Sequence, residues 1–170
     1  MGYTHYWERP RILTRPQFLA AIEDCRRLCD ALNIPLGDAE GNGQPVFTTT
    51  EICFNGHVGN GPWEPFHVPR IRRPRYTRDQ AVGGWWSNFC KTNHQPYDLC
   101  VQGCLIVLSH RFGNARFRVS SDGTSRDWND ARNACQHVLG YGIDWGEGKW
   151  APLPPNEGKT SDPPLHQGNG

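Results

Sequence analysis

The chain has 170 residues and a formal net charge of +1. That length supports one domain with its own core, and the near-balance of charge excludes a strongly basic or strongly acidic scaffold, so any anion site has to be a local patch. The longest apolar run, residues 104–108, is far shorter than the roughly 20 residues a membrane span needs, and no basic segment followed by an apolar one stands at the start, so a cytoplasmic protein without a membrane partner is expected.

The opening MGYTHYW sets Tyr3, His5 and Trp7 against Thr4, Tyr6 and Glu8, the period of two that marks a strand. Thr14 and Gln17 have the spacing of a capping box, and Leu13 and Phe18 that of a hydrophobic staple. Phe18, Ile22, Cys25, Cys29 and Leu32 then form one apolar helical stripe with Leu28 beside it, ended by Asn33, Pro35 and Gly37. Beyond the turn GDAEGNG, Val46 to Phe54 reads as a strand and Trp63 to Val68 as a second, joined as a hairpin with a long tip; three prolines place the second at an edge. Residues 69–88 read as a long irregular loop.

Pro96 suits the first turn of a helix that runs to Phe112, is apolar on most sides, and stops at Gly113. Phe117 and Val119, alternating with Arg116 and Arg118, make a further strand ending in SSDG. Thr124 and Asp127 form another capping box ahead of Trp128, Ala131, Cys135 and Val138, and Gly140 closes that helix. The fold expected is α+β: an antiparallel four-stranded sheet with helices on one face, in ferredoxin-like βαββαβ order with the first strand central, plus a C-terminal helix. Residues 1–150 form the domain and 151–170 a Pro- and Gly-rich tail.

Several stretches, MGYTHYW, FNG at 54–56, FCKT followed by PYD at 89–98, and SSDG followed by DW at 120–128, resemble an uncharacterised family of small bacterial and phage proteins. The likeness covers roughly residues 1–145. It implies a prokaryotic or phage origin and transfers no activity and no catalytic residue.

Seven cysteines without a CxxC read as reduced core residues, Cys25 with Cys29 and Cys100 with Cys104 each sharing a helical face; neither a metal nor a cofactor is expected. The strongest ligand signal is the run Arg70, Arg72, Arg73, Arg75 and Arg78, beside Tyr76 and ahead of Trp85 and Trp86, since guanidinium forks and aromatic faces suit phosphates and stacked bases. The plain alternative is a surface loop. Ser120 and Ser121 precede a helix N-terminus that an anion would favour, although Asp122 brings a negative charge there. In FCKTNHQPYD, Lys91 adds a cation, and Cys90 is either a nucleophile or core. His5, His57 and His67 lie on or near expected strands, with Glu51 and Asp98 as carboxylates that could partner any of them; His5 and His57 are the candidate bases, with Asp98 and Asp122 as orienting carboxylates. The leading function is binding of a small phosphorylated molecule or nucleotide, as in a phage protein that sequesters a host signal, with nucleic acid less favoured at this net charge. The alternatives are a small hydrolase or transferase working through a His/Asp pair, or a protein–protein module.

Overall fold

The computed structural model describes residues 2–73 and 83–146; Arg75, Arg78 and the 151–170 tail lie outside them. The initial aromatic segment is strand β1 (Thr4–Arg9), hydrogen-bonded on both sides, antiparallel to β6 (Trp86–Lys91) and to β7 (Arg118–Ser121). Pairing on two sides holds the N-terminal strand in the interior of its sheet. The register sets His5 opposite Cys90 and Ser121, Tyr6 opposite Phe89 and Ser120, and Trp7 opposite Asn88 and Val119. Directly opposed residues share a face and neighbours alternate, so Tyr3, His5, Trp7 and Arg9 turn toward the core, where all four are buried, while Tyr6 and Phe89 face outward.

A second sheet has β4 (Glu51–Gly56) between β2 (Leu36–Gly37) and β3 (Val46–Phe47), with β5 (Phe66–Pro69) also paired to β4. The run 46–54, expected as one strand, is therefore a β3–β4 hairpin. Thr48 Oγ1 accepts the amides of Thr50 and Glu51 at 3.4 and 3.2 Å and turns the chain between them. The four-stranded sheet expected around β1 is corrected in the same way, because the pairing divides the strands into a group of three and a group of four. The neighbour of β1 is β6, part of which lay in the stretch read as irregular. In WWSNFCK the outward residues Trp85 and Phe89 are as apolar as the inward ones, which hides the period-two contrast. The α+β class stands.

Helix α1 (Arg15–Leu32) starts at Thr14, with Leu13 and Phe18 both buried as the staple requires. The capping box is not made: Thr14 turns its hydroxyl to the Gln17 side chain instead of to a backbone amide. α2 (Asp98–Phe112) is buried on most sides and ends on Gly113 at φ 75°. A 3-10 turn, Ser125–Trp128, carries the complete Thr124–Asp127 box and leads into α3 (Asn129–Leu139), stopped by Gly140 at φ 82°. α2 packs against both α1 and α3, which also touch each other. Trp7, Phe18, Phe54, Phe66, Leu105, Phe117 and Trp128 belong to one continuous core that joins both sheets to the helices.

Arg9, a charged residue, is fully buried. Arg9 donates Nε to Pro10 O at 3.1 Å, Nη2 to Arg11 O and Arg70 O at 3.0 Å each, and Nη1 to Pro69 O. Burial, helped by Arg72, pushes its pKa down to about 9, so it stays charged at neutral pH. It clamps β1 to residues 69–72 and so sets where the arginine-rich segment begins.

Candidate functional site

Two places gather the residues singled out by the sequence, on opposite faces of the β6–β1–β7 sheet. On the outer face, Phe89 is 63% exposed and Tyr6 41%, side by side across the β1–β6 ladder. Large aromatics at this exposure, adjacent on one sheet face that is open among the described residues, are the kind of surface that contacts a ligand. Phe89 stands between two adjoining clefts of about 680 and 510 Å³. The larger is lined by Arg70, Arg72 and Arg73 on one side and by Glu51 and His67 on another, with Ser87, Asn88 and Phe89 along β6. The smaller lies over Tyr6, Glu8 and Ser120 and shares Trp7, Arg72, Ser87, Asn88 and Phe89 with the first.

Arg72 donates Nη1 to Asn88 Oδ1 and lies over the Trp86 ring, 5.5 Å from its centroid. Arg118 lies over Trp85 at 3.7 Å. Both tryptophans thus stack on guanidinium groups of the same chain, and neither lines either of these two clefts. Lys91 is on the outer face but beyond both clefts, with its amide donating to Glu64 Oε2 at 2.9 Å. His67 Nε2 meets Glu51 Oε2 at 2.7 Å inside the larger cleft. Among the described residues, the buried indole N–H of Trp7, which lines both clefts, has no hydrogen-bond partner.

The inner face carries a polar network at the head of α2. His5, fully buried, meets Asp98 Oδ1 with Nε2 at 2.7 Å and Ser121 Oγ with Nδ1 at 3.0 Å. Asp98 also accepts from Thr92 Oγ1 and, at 3.1 Å, from Gln102 Nε2. The imidazole is flanked edge-on by Tyr3 at 4.9 Å and Trp128 at 5.0 Å. Thr92 reaches the network from a tight turn in which Asn93 and His94 both adopt positive φ, 52° and 58°, uncommon for residues other than glycine. Tyr3 O secures that turn by accepting the amides of Thr92 and Asn93, and the Tyr3 ring stacks on His94 at 3.8 Å. Burial pushes the Tyr3 phenol up to about 12, so it stays neutral. A Cβ added at Gly123 would lie 2.2 Å from the Tyr3 hydroxyl oxygen, so the close approach of that ring requires glycine there.

Of the candidate catalytic groups, then, His5 and Asp98 meet. Asp122 does not join them: it is spent on the end of the β1–β7 ladder, accepting the Thr4 amide at 3.0 Å. His57 sits at the surface with Nδ1 2.7 Å from Val58 O, and no hydrogen bond links it to either aspartate. Ser120 and Ser121 do not form one anion site, because successive strand residues point to opposite faces: Ser120 lines the smaller cleft and Ser121 belongs to the His5 network. Cys90 is no exposed nucleophile. It is fully buried, donates its S–H to Glu64 O at 3.4 Å, and burial pushes its thiol up. Six of the seven thiols are buried, and the half-buried Cys53 is pushed up to about 11 by burial. A thiol-disulfide reagent at pH 8 is therefore expected to titrate at most about one cysteine in the folded chain and all seven in denaturant; rapid reaction of more than one would contradict this packing.

Among the described residues no group of three His, Cys, Asp or Glu side chains is placed to hold a metal ion, and no helix is long and apolar enough to cross a membrane. Comparison of the chain with protein-family models, with curated proteins and with solved structures finds no match.

Proposed function

We propose that this protein binds a small phosphorylated aromatic ligand, with a mononucleotide as the class of best fit, in the two clefts that adjoin at Phe89 and run from the outer face of the β6–β1–β7 sheet to β5. The observation that carries this reading is the exposed Phe89–Tyr6 pair beside a cleft rimmed by Arg70, Arg72 and Arg73. An aromatic platform takes a base by stacking, and guanidinium forks take phosphate oxygens in pairs. The larger cleft falls within the usual range of roughly 300–1,000 Å³ for small-molecule sites. The Trp7 indole N–H, buried without a partner, offers a donor to an acceptor on the ligand. A polynucleotide fits less well: a strand crossing the face would pass both Glu8 and Glu51, which line the two clefts. Sequestration of a free nucleotide remains the simplest use of such a site. The order β7–β1–β6, with α1 following β1 and α2 joining β6 to β7, is also the centre of a split βαβ arrangement, and we read the fold as a variant of it with β4 and β5 hinged away.

Calorimetric titration with nucleoside mono-, di- and triphosphates, the parent nucleosides and inorganic phosphate tests the reading. At least one nucleotide is expected to bind more tightly than its nucleoside and than phosphate. Base stacking contributes about 1–3 kcal/mol, so Phe89→Ala is expected to raise that Kd by roughly tenfold or more. Failure of the whole panel to bind, or an unchanged Kd in a folded Phe89→Ala variant, rejects it.

A further inference from the structure

The His5 network on the inner face is independent of the clefts, and it leads to a chemical conclusion of its own. Thr92 and Gln102 donate to Asp98, so Asp98 serves as an acceptor and His5 Nε2 is the natural donor to it. A neutral imidazole with its proton on Nε2 has a lone pair on Nδ1, and the group 3.0 Å from that atom is the Ser121 hydroxyl. In that tautomer the Ser121 proton points at a base whose opposite side rests on a carboxylate, the electronic arrangement of a Ser–His–Asp triad with the two ring nitrogens exchanged, while the Tyr3 hydroxyl and the Gly123 amide are the other hydrogen-bonding neighbours of Ser121 Oγ. The three groups come from β1, α2 and β7, and their sequence separations of 93 and 116 residues rule out local turn chemistry as the cause. His5 is fully enclosed, whereas Ser121 is partly exposed.

We propose that Ser121 is a nucleophilic serine that takes an acyl group from an activated donor, an aryl ester or thioester. Ser121 Oγ adds to the acyl carbon as its proton passes to His5 Nδ1, and the bond from that carbon to the leaving oxygen or sulfur breaks. The aryloxide or thiolate departs as the anion, so the one proton moved stays on the imidazolium, held through Nε2 by Asp98. Two features confine the reaction to activated donors. The amides of Asp122, Gly123 and Thr124 are already engaged, with Thr4 O, Ser121 Oγ and Asp127 Oδ2 respectively, so none is aimed at a developing oxyanion. The enclosure of His5 keeps water from Nδ1, so the acyl-serine accumulates and hydrolysis is slow.

The test is to mix the full-length protein with p-nitrophenyl acetate, follow nitrophenolate release, and map the acetylated peptides. A burst of about one equivalent per chain is expected, with the acetyl group on Ser121 and not on the exposed Ser125, followed by slow turnover. Ser121→Ala should remove the burst. General-base assistance is typically worth ~10²–10⁴-fold, so Asp98→Asn should slow the burst by about a hundredfold or more. Should Asp98→Asn fail to fold, wild-type protein in urea replaces it, where Ser121 must acetylate no faster than Ser125. Acetylation confined to lysines or the terminal amine, a burst that survives Ser121→Ala, a folded Asp98→Asn variant that keeps the wild-type rate, or Ser121 outpacing Ser125 in urea each overturns the proposal. Nucleotide binding reads a different face, so failure of either leaves the other standing.

Discussion

Replacing Arg9 by methionine is expected to lower the free energy of unfolding by about 3 kcal/mol and to weaken the nucleotide binding proposed for the outer clefts. A hydrogen bond to a charged group contributes roughly 1.5–3 kcal/mol, and Arg9 makes four, to Pro10, Arg11, Pro69 and Arg70. The loss falls short of their sum because Arg11 O and Arg70 O keep second donors, the amides of Arg72 and Leu13. Removing a buried charge also relieves a desolvation cost. Methionine replaces the aliphatic stem of the side chain, which limits the cavity to the guanidinium end and leaves the missing donors as the main effect. Because the Arg9 pKa is lowered in the folded chain, the folded state binds fewer protons than the unfolded one only above about pH 9. The group's contribution to stability then rises with pH from there, and is level below it. The deficit of Arg9→Met, measured by urea unfolding, should therefore be constant from pH 5 to 8. A loss under 1 kcal/mol, or a deficit that varies steeply within that range, would show that the carbonyls find other donors.

The second large effect is expected at Asp24, a carboxylate buried at the end of the helical layer. It accepts from Arg111 Nε at 2.8 Å and from Arg111 Nη2, and from the Tyr141 hydroxyl at 2.6 Å. Arg27 lies 3.9 Å away. Hydrogen bonding to Asp24 raises the Arg111 pKa further, and burial, then the bond to Asp24, pushes the Tyr141 phenol up. One side chain of α1 thus ties together the C-terminal end of α2 and the segment after α3, where Tyr141 also stacks on His110 at 3.8 Å. Breaking a buried ion pair from one side typically costs ~3–5 kcal/mol. Arg111 is about a third exposed, so water recovers part of that, and Asp24→Ala is expected to lose about 3 kcal/mol. Asp24→Asn keeps an acceptor and should lose roughly half as much. A double-mutant cycle with Arg111→Met should return most of the difference as coupling. Equal stability of wild type and Asp24→Ala would place the strength of the helical layer in its apolar contacts alone.

Asp24 also shows where sequence patterns stop. The α1 stripe of Phe18, Ile22, Cys25, Cys29 and Leu28 is legible because its spacing is local, and those residues are buried as a set. Asp24 lies among them and looks like a solvated acid until Arg111 and Tyr141 arrive, 87 and 117 residues further along. The outer site divides similarly. The arginines, His67 and Glu51 stand out singly by residue type, whereas the His67–Glu51 pairing and the Tyr6–Phe89 platform do not, because the first needs β5 set beside β4 and the second needs β6 placed beside β1.

Local chemistry alone already determined much of this chain. The period of two in THYWER, the staple at Leu13 and Phe18, the Thr124–Asp127 box, the glycine stops at 113 and 140 and the apolar character of α2 all act within a few residues of themselves and reappear in the folded protein. The partners across those elements had no local signature. Which strand lies beside β1, which of Ser120 and Ser121 faces the clefts, that His5 finds Asp98, and that an arginine fills the core all follow from how whole elements pack. The reason is energetic: a buried polar group must find its complement wherever the packing of two sheets and three helices delivers one, and that address is a property of the assembled fold.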